Sequence, residues 1–152
     1  MDRKQKLKQL TKDIESKLEQ IGDKLGFKSK REWNIKGGRI DLVWYKEIPI
    51  NLPKLEINEI PIVGFEIETS WRQHKLIKAD LLNLTTLSPA LGILIFLEEG
   101  YTTKGLFDKE KDFPANMKLA EGLAKDFELV SRLIIWSKEE VDKLYNNAIN
   151  LD

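Results

Sequence analysis

Three carboxylates stand where the chain otherwise reads as buried strand. Asp41 lies inside RIDLVWYK (Arg39–Lys46), and Glu66 and Glu68 lie inside IVGFEIE (Ile62–Glu68). Side chains two apart share a strand face, so Glu66 and Glu68 point the same way. An acid in an apolar strand sits at an edge, pairs with a base, or is held there for its chemistry. Arg39, two positions before Asp41, is a candidate partner for it. Consecutive strands pair antiparallel by default, and Asp41 then faces Glu66 and Glu68. Three carboxylates so close repel strongly in a low dielectric, and a cation is the simplest remedy. Oxygens from two strands, the Ile67 carbonyl and water suit Mg²⁺ or Mn²⁺. Such an ion polarises a phosphodiester and lowers the pKa of an attacking water. The competing reading is three unrelated acids on an exposed sheet face. The apolar neighbours on both strands favour the first.

The elements that position these acids follow from periodicity. Leu7, Leu10, Ile14, Leu18, Ile21 and Leu25 form one stripe of a helix over Arg3–Leu25, closed by Gly26. Glu15 borders that stripe and, on helix geometry alone, is a solvated flank residue. Phe27–Ile35 reads as a strand and Gly37-Gly38 as a hairpin turn. Arg39–Lys46 follows, with Ile40, Leu42 and Trp44 on one face and Asp41, Val43 and Tyr45 on the other. Glu47–Ile60 carries Pro49 and Pro53 and reads as an extended excursion, packing on a sheet edge or on a second subunit. After the Glu66/Glu68 strand, a helix from about Trp71 to Leu87 turns Leu76, Ile77, Leu81, Leu84 and Leu87 inward. Ala90–Glu98 is apolar throughout, as expected of a parallel strand covered on both faces and reached by a right-handed crossover. A polar loop over Glu99–Pro114, a helix over Ala115–Phe127 and a strand over Leu129–Trp136 come next. Ser137 and Glu140 form a capping box for a last helix ending near Ile149. The expectation is one α/β domain spanning residues 1–152, with a mixed sheet between helices.

Composition narrows the function. The 152 residues carry 25 basic and 25 acidic side chains, which argues against binding by bulk positive charge. There is no cysteine and a single histidine, His74, so thiol chemistry and His-based zinc clusters are excluded. No signal peptide or membrane-spanning run is visible, and a cytoplasmic protein without membrane or nucleotide-cofactor partners is expected. Positive charge is local: Lys28, Lys30, Arg31, Lys36 and Arg39 surround Trp33, and Arg72, Lys75 and Lys78 follow Trp71. Both groups should flank the acids as a rim for a phosphate backbone, read by shape and not by base edges. The plainer reading is bases solvated on a hairpin and a helix.

The pattern resembles the PD-(D/E)XK nuclease superfamily. Gly38-Arg-Ile-Asp41 stands for its strand-two acid and Glu66-Ile-Glu68 for its strand-three motif. IESKLEQIGDKLGF (Ile14–Phe27) is similar to the first helix of archaeal Holliday-junction resolvases, and that likeness moves Glu15 from flank residue to metal-site acid. The resemblance implies a restriction-endonuclease-like αβββαβ core with a C-terminal αβα extension. It implies a Mg²⁺- or Mn²⁺-dependent DNA endonuclease, with many relatives acting as homodimers. The implied metal set is Glu15, Asp41, Glu66 and the Ile67 carbonyl. The family's usual lysine is replaced by Glu68, which leaves three readings: Glu68 acts as ligand or general base; Lys75, or next Lys78, supplies the charge from the helix; or the chain binds without cleaving. Retained activity ranks first, because Glu15, Asp41 and Glu66 are all present. His74 and Gln73 are further candidates for contact with the substrate phosphate.

Overall fold

In a computed structural model of the chain, the structure describes residues 2–54, 58–69, 74–98, 109–126 and 132–151. The element order is α1 (Arg3–Lys24), β1 (Lys28–Ile35), β2 (Gly38–Glu47), β3 (Glu59–Glu68), α2 (His74–Leu87), β4 (Leu91–Phe96), α3 (Lys109–Asp126), β5 (Leu133–Ser137) and α4 (Lys138–Ile149). The sheet runs β1-β2-β3-β4-β5. Its first three strands are antiparallel, and β3, β4 and β5 are parallel. The architecture is thus an open mixed α/β sheet flanked by helices, as the pattern of periods implies.

Each sheet face has its own core. Ile14, Leu18 and Ile21 of α1 pack with Val141 and Ala148 of α4 on Leu42, Trp44, Phe65, Ile67, Ile93 and Ile95. On the other face, Ile77, Leu81 and Leu84 of α2 and Ala120 and Ala124 of α3 meet Val43, Leu94 and Phe96. Two glycines set how closely the helices approach. A Cβ on Gly22 would lie 2.6 Å from the Trp44 indole nitrogen, which donates to the Leu18 carbonyl at 2.9 Å. A Cβ on Gly64 would lie 2.8 Å from Leu87 Cδ2 and 3.1 Å from Leu84 Cδ2, so α2 rests directly on the β3 backbone.

Several boundaries differ from the sequence reading. The α2 inner face is narrower than five residues: Leu76 is exposed, because the buried strip is centred on Ile77, Leu81 and Leu84. Pro61 lies inside β3, which starts at Glu59; a bulge between Trp44 and Tyr45 shifts the register there, so the missing proline N–H does not interrupt a regular ladder. Helix α3 begins at Lys109 and contains Pro114, where a loop is expected. The Phe113, Met117, Ala120 and Ala124 side of α3 still packs at helical spacing, and the exposed proline forgoes only one hydrogen bond. β5 begins at Leu133; the expected start at Leu129 lies outside the described residues.

The most informative departure is at Asp41. Ile40 was expected on the face of Leu42 and Trp44 but is buried with Val43 under α2 and α3. The β1–β2 pairing passes over the Glu32/Asp41 position, where Glu32 takes a φ of 51°. The β2–β3 pairing ends at Leu42 and Phe65, one step before Asp41 would meet Glu66. β2 therefore parts from β3 at Asp41 and skips one pair with β1, resuming at Trp33 and Ile40, and the simple two-residue alternation fails there.

Candidate acidic site

At this fork the Asp41 side chain replaces a strand. Its Oδ2 accepts a hydrogen bond from the Ile67 amide at 2.7 Å. Arg39, the expected partner of Asp41, instead reaches Glu32 at 3.6 Å, on the hairpin surface. The Asp41 carboxyl lies against that of Glu66, and the Asn83 side-chain amide donates to Glu66 Oε1 at 3.4 Å. Glu66 and Glu68 are only 4% and 5% exposed, so neither can shed its charge into water. Glu68 is hydrogen-bonded to Asp80, which α2 delivers from above β3.

Two carboxyl groups in contact at the core boundary repel unless one of them keeps its proton. Burial, reinforced by the Asp41 charge, pushes Glu66 up to about 10. Burial and then the contact with Glu68 push Asp80 up to about 9, and Asp41 adds to the effect. Glu15 is raised as well, chiefly by burial, with Arg31 opposing from 3.0 Å and Asp41 adding repulsion. The site is two carboxyl pairs, Asp41–Glu66 and Glu68–Asp80, in which Glu66 and Asp80 are the raised members, with Glu15 within electrostatic range of Asp41.

The structure pairs Asp41 with Glu66 and Glu68 with Asp80, keeps Glu15 within electrostatic range of Asp41, and adds Asn83 beside Glu66. Sequence reading missed Asp80 and Asn83. The one signal the sequence carries for them is their spacing, three apart and interleaved with the Ile77, Leu81 and Leu84 strip, which solvated helix residues share. Lys75 is exposed and joins no ion pair among the described residues; Lys78 is exposed as well. His74 opens α2, with its side chain outside the description, and Trp71, Arg72 and Gln73 lie outside the described residues.

The expected basic rim on the β1–β2 hairpin is largely neutralised. Lys28 pairs with Glu47 at 2.7 Å and Lys30 with Glu59 at 3.7 Å. Arg31 is held by Glu15 and Glu19, and Lys36 is exposed in the turn.

Among the described residues, no three His, Cys, Asp or Glu side chains form a group ready to hold a metal ion. Mg²⁺ keeps most of its waters and is usually held by one or two carboxylates plus substrate phosphate, and the acids here meet only in pairs, Asp41 with Glu66 and Glu68 with Asp80. No family model, curated protein or solved structure matches this chain.

Proposed function

We propose that the chain is a Mg²⁺- or Mn²⁺-dependent DNA endonuclease of restriction-endonuclease-like fold. The observation that carries this reading is the meeting of half-buried Asp41 with buried Glu66 where the β2–β3 pairing ends, with burial and Asp41 pushing Glu66 up to about 10. Asp41 and Glu66 would hold the ion, with Glu15 near Asp41. When bound, the ion supplies a polarised phosphate and a more acidic water. Glu68, in contact with Asp80, would take the water's proton, and Asn83, which donates to Glu66, would orient that carboxylate. A homodimer through the 47–60 excursion belongs to the same reading, and Ile50 is 66% exposed there. Sedimentation velocity, with an Ile50→Asp variant reverting dimer to monomer, tests that part.

The experiment is cleavage of plasmid, linear, branched and single-stranded DNA with Mg²⁺, Mn²⁺ or EDTA. Asp41→Asn and Glu66→Gln should each lose about 100-fold or more of the wild-type rate. A second reading, a nucleic-acid-binding or assembly subunit that does not cleave, draws support from Lys75, which is exposed and joins no ion pair in the described chain. Metal-independent binding with no cleavage of any substrate would decide for it.

A further inference from the structure

With the hairpin bases engaged by acids, a phosphate backbone needs another surface, and the first helix provides one. A groove of about 560 Å³ is lined by Arg3, Lys4, Leu7, Lys8, Thr11 and Thr69. Asp2 fixes the start of this helix: its carboxylate accepts from the Gln5 amide at 2.7 Å, so the first turn is held in shape. Lys4 and Lys8 are exposed, and neither joins an ion pair among the described residues. Two relations link the groove to the acidic site. Thr69 directly follows Glu68 on the β3 chain. Lys4, Lys8, Thr11 and Glu15 also fall within roughly 60° of one another around α1, at about 100° per residue.

We propose that this groove holds the phosphodiester backbone of a nucleic-acid strand running towards the acids. Lys4 and Lys8 pair with successive phosphates, Thr11 and Thr69 offer hydroxyl donors, and Leu7 lies against the sugars. The binding surface stands by itself, and only the position of the cut rests on the nuclease reading. From Lys4 to Glu15 the helix rises about 16 Å. A strand with one charge per roughly 3.4 Å of axis covers that in about five phosphates. An oligonucleotide with fewer than about five nucleotides on that side of the scissile bond therefore loses the Lys4 contact.

The test is anisotropy binding of a fluorescein-labelled 20-nucleotide DNA, single-stranded and duplex, in EDTA across a salt series, with cleavage in Mn²⁺ measured separately. Lys4→Gln/Lys8→Gln should bind about tenfold or more weakly, with a salt slope shallower by roughly 1.5, at 0.7–0.9 per lost phosphate contact. Lys28→Gln/Lys30→Gln, whose bases are already paired, should change affinity less than about twofold. An unchanged melting temperature in the Lys4/Lys8 variant excludes misfolding as the cause. Wild-type affinity and slope in that variant would overturn the proposal, as would equal competition by a polyglutamate peptide of matched charge. Binding that depends on Lys4 and Lys8 without any cleavage would uphold the groove and sink the nuclease reading.

Discussion

At the scale of single residues, the site is defined by protons. Asp80 holds its proton to about 9 in the fold but loses it near 3.8 when unfolded. Its folded pKa is raised, so the stability it contributes is complete below about pH 4 and is lost as pH rises through 9. The thermal midpoint of the metal-free protein should therefore fall steadily from pH 5 to pH 9. Asp80→Asn keeps a donor for Glu68 and carries no charge. It should flatten that slope and raise the midpoint at pH 8, with a gain of about 1–3 kcal/mol. A pH-independent wild-type midpoint would refute the assignment of a retained proton to Asp80. Asp41→Ala removes the acceptor of the Ile67 amide and should cost about 1–3 kcal/mol in denaturant unfolding, apart from its effect on cleavage. Asp41, Glu66 and Glu68 were legible as acids in apolar strands. Asp80 was not, because one acid in a charged, amphipathic helix looks like any solvated residue until the helix is docked.

At the scale of elements, the site depends on how tightly α2 sits on β3. Gly64→Ala places a Cβ 2.8 Å from Leu87 Cδ2, and α2 must shift to relieve it. The expected result is a loss of about 1–3 kcal/mol and slower cleavage, because Asp80 moves away from Glu68. Leu81→Ala empties a fully buried position under the same helix and should cost about 2–5 kcal/mol. If Gly64→Ala lowers stability but leaves the pH dependence of the midpoint unchanged, α2 is not what holds the acids together. The helices and strands were legible because their apolar residues repeat at 3.6 or 2. The exceptions have physical causes. α3 was truncated at Pro114 because proline usually ends a helix, whereas here its side with Phe113 and Met117 packs. Ile40 departs from the expected face because the β1 ladder skips a pair and the β3 pairing ends beside it, and no alternation rule anticipates either.

At the scale of the whole molecule, 25 basic and 25 acidic residues cancel, but they are unevenly arranged. The hairpin spends its bases on surface ion pairs, α1 presents a basic groove, and the sheet fork gathers acids at the core boundary. Composition could report the cancellation but not the arrangement, which exists only once α1, β2, β3 and α2 meet. The two carboxyl pairs then set a stoichiometry for the entire protein. A cation that enters at Asp41 and Glu66 must displace the proton that Glu66 keeps, so its arrival ejects that proton into the buffer. Calorimetric titration with Mn²⁺ at pH 7 should give heats that differ between Tris and phosphate in proportion to the buffers' ionisation enthalpies. The slope of that plot should lie near one proton per ion. A slope of zero would mean the ion binds elsewhere. Acidification would then unload the ion while leaving the fold at its most stable, so that metal occupancy and conformational stability respond to pH in opposite directions.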